Sequence, residues 1–245
     1  MIRTEIEFMQ AARAVATLQE KLLRYEQEKH MLDHLSEKYG ALQDAHDFIS
    51  DEMDRYDLEV NPCQVGSWMP LFSGKRFWPE DPRPEDFDIT DIAHALSNIN
   101  RFNGHTKQAY NVAQHSVLVS RIVPAQYALH GLFHDASEAL IQDFISPLKH
   151  LAMDWYGPLE TKVMKAVCKK FDIDWNNDAA WIAVKKADNI MLATEVRDLT
   201  TCGFVTQRLT ELPTEEHIRL CWSPECSEEM FRDRYREIIL GTPKC

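Results

Sequence analysis

His134 and Asp135 are adjacent in an otherwise apolar stretch, Leu129-His130-Gly131-Leu132-Phe133-His134-Asp135-Ala136-Ser137-Glu138-Ala139. Read as one buried helix, this stretch projects an imidazole and a carboxylate from neighbouring positions of a single turn. Both can reach one divalent cation. Glu138 follows at i+4 from His134 and rises from the same helical face. An apolar helix that buries two acids and a histidine needs something to satisfy them, because an uncompensated buried charge is costly. His115 and Asp188 stand on two further long helical patterns and complete a four-ligand set with His134 and Asp135. A lone histidine such as His115 on a half-apolar helix is more often a hydrogen-bonded core residue; the His-Asp pair on the next helix is what favours ligation. Two imidazoles and two carboxylates suit one divalent transition metal, Co2+, Mn2+, Zn2+, Fe2+ or Ni2+, with Mg2+ admissible and Ca2+ disfavoured. Four protein ligands leave a six-coordinate ion open to water and a phosphate oxygen.

The elements that must position these residues are helical. Asp88 or Thr90 caps a helix with Ile92, Ala95, Leu96 and Ile99 on its apolar face. A loop, Arg101-Phe102-Asn103-Gly104-His105-Thr106, follows it. The helix that carries His115 comes next, and Pro124 opens the one that carries the His-Asp pair. That helix gives way to a loop before Pro147. An amphipathic helix over 158–171 has Pro158 at its first position, and Asp178 caps a longer one from Ala179 to about Thr200. Asp188, Leu192 and Glu195 share a face of that helix; Glu195 and Arg197 read as structural salt-bridge partners. A last helix covers Glu225–Ile239. The fold class is all-α.

Three regions divide the 245 residues. Residues 1–60 form a helical arm whose apolar stripe (Leu18, Leu22, Tyr25, Leu32, Leu35, Tyr39, Leu42, Ile49, Met53, Tyr56) steps by threes and fours, one residue short between Leu32 and Leu35. The narrow stripe reads as a coiled-coil arm that joins subunits into a homo-oligomer; the alternative is a helix, or a hairpin broken near Gly40, packed on its own domain. Residues 61–87 are a Pro- and Trp-rich ordered linker, with a short strand pair around Lys75-Arg76-Phe77. Residues 88–245 are the main domain. A net charge of −12 disfavours polymeric nucleic acid as a partner. No apolar run has membrane-spanning length. Six Cys without a CxxC pair read as reduced thiols in a cytoplasmic protein.

The order H…HD…D resembles the HD-domain metal-dependent phosphohydrolases. His134-Asp135-Ala136-Ser137-Glu138-Ala139, then Asp143, then Pro147-Leu148-Lys149, is similar to their 5′-deoxynucleotidase branch. Asp91-Ile92-Ala93-His94-Ala95-Leu96-Ser97, Arg101-Phe102-Asn103-Gly104-His105, Ala113-Gln114-His115-Ser116 and Ala193-Thr194-Glu195-Val196-Arg197-Asp198-Leu199 look like HD hydrolases of phages and bacteria, some of which are dATP triphosphohydrolases. The resemblance covers about residues 70–205 and leaves out the first 60.

The resemblance implies an HD helical core and metal ligands His115, His134, Asp135 and Asp188, with Asp135 also part of the catalytic pair it forms with Glu138. Glu138 would orient the attacking water or pass a proton to the leaving oxygen. Asp143 would hold the sugar 3′-hydroxyl, Lys149 a phosphate, and Arg101 phosphate or sugar. Phe102 stands where the family's deoxynucleotidases carry Trp against the 2′ position. His105 and His94 would line the pocket or serve as helix-end hydrogen bonders. The implied reaction is hydrolysis of the 5′-phosphate ester of a small-molecule nucleotide, a dNMP giving phosphate or a dNTP giving triphosphate. Lys107 and Lys75 are further cations within reach. Alternatives are a phosphodiesterase on a cyclic or signalling nucleotide, which would need additional histidines such as His130 or His150, and a non-catalytic nucleotide-binding scaffold.

Overall fold

A computed structural model describes residues 5–28, 36–60, 66–201 and 209–241 of the chain. It divides into two compact units, residues 1–65 and 66–245.

In the first unit, α1 (Glu5–Glu28) and α2 (Ser36–Val60) pack on one another. Phe8 and Leu22 are buried, and the Gln19 amide approaches the His46 ring at 3.3 Å. Gly40 lies inside α2 rather than at a break. Leu32, Leu35 and the short step between them lie outside the described residues, as do the side chains of Tyr25, Tyr39, Met53 and Tyr56. A Cβ at Gly40 would meet nothing within 4 Å; its cost to the helix is entropic, about 1 kcal/mol relative to Ala.

The second unit begins with the Pro- and Trp-rich segment, which is a built part of its core. β1 (Met69–Pro70) pairs antiparallel with β2 (Arg76–Phe77), with Met69 opposite Phe77. Gly74, at φ 83°, makes the reversal between them. Phe77 and Phe87 are fully buried and meet edge to face. Phe72 stacks on His94 with ring centroids 3.7 Å apart, and Arg76 lies over Trp68.

α3 (Ile89–Asn98) starts at a capping box: the Asp88 side chain accepts from the Thr90 and Asp91 N–H groups, and Asp91 accepts from the Asp88 N–H. Ile92, Ala93 and Leu96 bury its inner face. A tight turn over Arg101–Gly104 follows, with Phe102 and Asn103 in left-handed conformation, uncommon for an aromatic residue. α4 (Val112–Ile122) is capped by Asn111, whose Oδ1 accepts from the Gln114 N–H at 2.9 Å. After Pro124 and one 3-10 turn comes α5 (Ala128–Phe133). Gly131 lets α5 lie against α4, since a Cβ there would stand 3.1 Å from the Ser120 Cα.

α5 does not continue through the His-Asp pair, as the one-helix reading expects. It stops at Phe133, and α6 (Glu138–Ile141) begins after a turn over residues 134–137. Ala136 N–H donates to the Phe133 carbonyl, Glu138 N–H to that of Asp135 and Leu140 N–H to that of Ser137, at 2.9–3.0 Å. These i→i+3 bonds wind the chain tighter than an α-helix. In such a turn residues i and i+3 eclipse one another, so Asp135 and Glu138 are drawn onto one line.

α7 (Ser146–Leu151) and α8 (Met153–Lys170) follow. Pro158 lies inside α8 and not at its start, at the price of one backbone hydrogen bond. α9 (Asp178–Leu199) is capped by Asn177 rather than Asp178, through Asn177 Oδ1 and the Ala180 N–H. α10 (Pro224–Leu240) packs across α3 and α4: Phe231 is fully buried, Asn111 donates to Ser227 Oγ at 2.8 Å, and Arg234 donates to Ser120. Helices and one two-residue strand pair are all the regular structure among the described residues, so the fold is mainly all-α. None of these helices is long and apolar enough to cross a membrane.

Candidate metal centre

α4, the α5–α6 turn and α9 bring ligand-type atoms of His115, His134 and Asp188 within 4.8 Å of one another, and Asp135 stands beside the two histidines. His115 Nε2 lies 3.2 Å from His134 Nε2, 3.4 Å from Asp188 Oδ1 and 3.6 Å from Asp135 Oδ2. His134 Nε2 lies 3.2 Å from Asp135 Oδ2 and 4.0 Å from Asp188 Oδ1. Neighbouring ligands at about 2.1 Å from an octahedral ion sit about 3.0 Å apart and opposite ones about 4.2 Å apart, so the His115, His134 and Asp188 separations are compatible with one cation, with Asp135 close to both imidazoles.

The outer edges of both rings are fixed. His115 Nδ1 lies 2.6 Å from Glu195 Oε1, and His134 Nδ1 lies 2.9 Å from the Gly131 carbonyl. Each Nδ1 therefore keeps its proton, and when the rings are neutral, as ligation requires, each Nε2 turns a lone pair inward. Two lone pairs 3.2 Å apart, flanked by two carboxylates, repel unless a cation lies between them. The donor set fits a divalent metal on that ground.

The charges agree. Burial favours the neutral forms of Asp135 and Asp188, but the two imidazoles outweigh it and hold both carboxyls well below the usual range. Burial and Arg101 push His115 down, while Glu195 and Asp188 prevail and lift it to about 9. Glu195 is fully buried. Burial would raise its pKa, yet Arg101 and His115 keep it low.

Glu138 behaves oppositely. Burial, Asp135 and Asp143 raise it well above the usual carboxylate range, despite Lys149. Lys149 Nζ meets Glu138 Oε1 at 3.1 Å and Glu160 Oε1 at 3.0 Å. Glu138 Oε2 is buried and has no hydrogen-bond partner among the described residues. Burial also raises Asp143, with Arg101 opposing it and Asp135 adding to it.

Arg101 sits differently from the expected substrate contact. Its Nε and Nη2 donate to Glu195 Oε2 at 3.2 and 3.1 Å, and Nη1 to Asp135 Oδ2 at 3.4 Å. A phosphate or sugar contact would compete with these bonds. Phe102 is half-buried with its ring 5.9 Å from the Arg101 guanidinium. His105 is exposed, its backbone N–H bound to the Phe102 carbonyl. His94 Nδ1 pairs with Glu228 of α10 at 2.9 Å. Lys75 meets Asp88 and the Glu85 carbonyl, and Lys107 donates to the Asp198 carbonyl at the end of α9. His130 is buried, bound to the Asp174 carbonyl and packed edge-on against Trp181.

Sequence reasoning misses Glu195, Gly131, Glu160 and Tyr110. Glu195 is assigned there to Arg197, but Arg197 pairs with Asp198. The usable signal is its place two turns after Asp188 on one helical face. Tyr110 is fully buried beside Glu195, and burial together with that charge keeps its hydroxyl protonated.

No family model matches the chain. It is 39% identical over 174 residues to YfdR of Escherichia coli (strain K12), described as an uncharacterized protein; the match takes in 70% of this chain and 96% of YfdR. An uncharacterized protein of Rhodobacter capsulatus is 35% identical over 116 residues, 44% of this chain and 59% of its own length. Nearly a third of this chain thus lies outside the match to YfdR, while almost the whole of that relative lies within it. At that identity and coverage, the chain belongs to the family of YfdR.

Proposed function

We propose that this protein is an HD-type, metal-dependent phosphohydrolase acting on the 5′-phosphate ester of deoxynucleotides. The observation that carries the reading is the convergence of His115 Nε2, His134 Nε2, Asp135 Oδ2 and Asp188 Oδ1 with both outer ring nitrogens pinned. A divalent cation held there supplies a water of lowered pKa and neutralises charge on the phosphoryl group. The chain supplies the rest. Glu195 and the Gly131 carbonyl fix which ring nitrogens point inward. Glu138, whose carboxyl burial and Asp135 raise well above the usual range, can give a proton to the leaving 5′-oxygen, and Lys149 sets its direction.

The engaged state of the cations favours a single phosphate. Arg101 and Lys149 are each shared between two carboxylates, and Lys75 and Lys107 serve helix ends. A triphosphate would need free positive charge beyond the α-phosphate. The phosphodiesterase alternative is less favoured, because His130 is committed to Asp174 and Trp181. The free thiols of Cys168, Cys221 and Cys226 suit a reducing, cytoplasmic setting.

The test is a panel of dNMPs, dNTPs, ribonucleotides and cyclic nucleotides with products separated by chromatography. Phosphate from dNMPs is expected. Triphosphate from dNTPs would move the assignment to a triphosphohydrolase. Metal-loaded protein inert towards the whole panel would overturn the hydrolase reading. Glu138→Gln is expected to keep its metal and lose about 10²- to 10⁴-fold in turnover; a rate near that of the parent chain would remove Glu138 from the chemistry.

A further inference from the structure

A cavity of about 510 Å³ lies between α4, α9 and the segment that leads into α10. Its size is that of a small-molecule site. Leu118 and Ile122 of α4, Met191 of α9, and Ile218 and Trp222 of the connecting segment supply its apolar lining. The metal-site side chains do not line it.

The outer wall has no regular secondary structure, yet it is fastened along its length. Gln114 donates to the Leu220 carbonyl and accepts from the Trp222 N–H, at 2.9 and 2.8 Å. Thr194 accepts from the Thr214 N–H, Arg197 donates to the Thr214 and Glu216 carbonyls, and Asp198 accepts from the Ile218 N–H. Asp198 also pairs with His217. A loop held by side chains of both flanking helices preserves the space beneath it.

Charge narrows the occupant. Arg121 and Arg219 line the cavity. Arg219 makes no ion pair with a described residue, and Arg121 is felt by Glu237 on α10. Guanidinium groups recognise carboxylates and sulfonates in planar pairs and lie flat on rings. Glu215 and Glu216 stand exposed on the same wall and oppose a polyanion. An apolar floor, an indole, two arginines and two opposing acids suit an aromatic molecule with one negative charge.

We propose that this cavity is a binding site for a small aromatic monoanion and that its occupancy is coupled to the metal centre. Gln114 precedes His115 on α4, and Met191 and Thr194 lie between Asp188 and Glu195 on α9. A ligand that shifts α4 against α9 changes the 3.4 Å His115–Asp188 and 2.6 Å His115–Glu195 distances. Binding is independent of what the metal centre catalyses; only the effect on metal affinity rests on the metal reading.

The test uses the full chain with anilinonaphthalene sulfonate, whose fluorescence rises in apolar surroundings. Saturation at one probe per chain is expected. Met191→Trp, which fills the cavity, is expected to weaken binding by more than about tenfold. The exposed double variant Arg121→Glu, Arg219→Glu, which leaves the core intact, is expected to do the same. Binding that does not saturate, or that the arginine variant leaves unchanged, overturns the site. With the probe bound, Zn2+ affinity is expected to change by about fivefold or more; identical affinity with and without probe overturns the coupling.

Discussion

His134→Ala will bind no stoichiometric divalent metal and will lose hydrolysis by about a thousandfold or more. His134 Nε2 lies within 4.0 Å of the ligand atoms of all three other residues. Removing it opens one side of the cage and leaves Asp135 and Asp188 with one ligand fewer to hold a cation between them. A bound metal contributes several kcal/mol of transition-state stabilisation, and about 4 kcal/mol corresponds to about a thousandfold in rate. Plasma emission spectrometry measures the metal, and phosphate release measures the rate. If the variant keeps one metal per chain and turns over within tenfold of the parent, the assigned centre is wrong. If it loses the metal and keeps the rate, the metal is structural and the chemistry lies elsewhere.

Glu195→Ala will cost more in folding than any other single change at the site. Its carboxylate is fully buried and accepts from Arg101 on one oxygen while holding His115 Nδ1 on the other. Removing one partner of a buried ion pair leaves the other charge uncompensated, at about 3–5 kcal/mol. Arg101 then has only Asp135 to face. The His115 ring loses its orientation, and loss of such a support costs about 10- to 100-fold in metal affinity. Urea denaturation gives the first quantity, and titration with Co2+ followed by its visible absorption gives the second. Glu195→Gln keeps the volume and separates the two effects. Unchanged metal affinity in both variants would show that Glu195 is only a core ion pair.

The cluster of His115, His134, Asp135 and Asp188 was legible in the sequence as a candidate centre because each member breaks its own local pattern. A histidine and acids on apolar helical faces are conspicuous one at a time, and three such helices in one chain suggest a common destination. Glu195 was not legible as a support, since its partners lie 94 and 80 residues away along the chain. Arg197, two positions on, is the natural partner by sequence, but the carboxylate of Asp198 takes it. The break between α5 and α6 was hidden for another reason. Ala136, Ser137 and Ala139 are all compatible with a helix, and the turn is imposed by where His134 and Asp135 must point. Pro158 misled in the opposite direction: it suits a helix start, but α8 already runs through Tyr156, two residues earlier, which is buried and donates its hydroxyl to the Gln142 carbonyl. The cap at Asp88 was legible from local chemistry, and α3 begins where that chemistry puts it; Asn111 and Ser223, not read as caps from the sequence, begin α4 and α10 in the same way.

The grip of Arg101 on Glu195 and Asp135 has an electrical consequence. With both imidazoles neutral, as ligation requires, the carboxylates of Asp135, Asp188 and Glu195 against one guanidinium leave the cage at −2. A divalent ion brings it to neutrality, and a trivalent one would overshoot. Valence is thus selected by electroneutrality as well as by ligand type. An empty cage repels a phosphate ester, and a filled one does not. On the proposed reading the order of binding is written into this balance: the ion enters first, and the nucleotide can only follow.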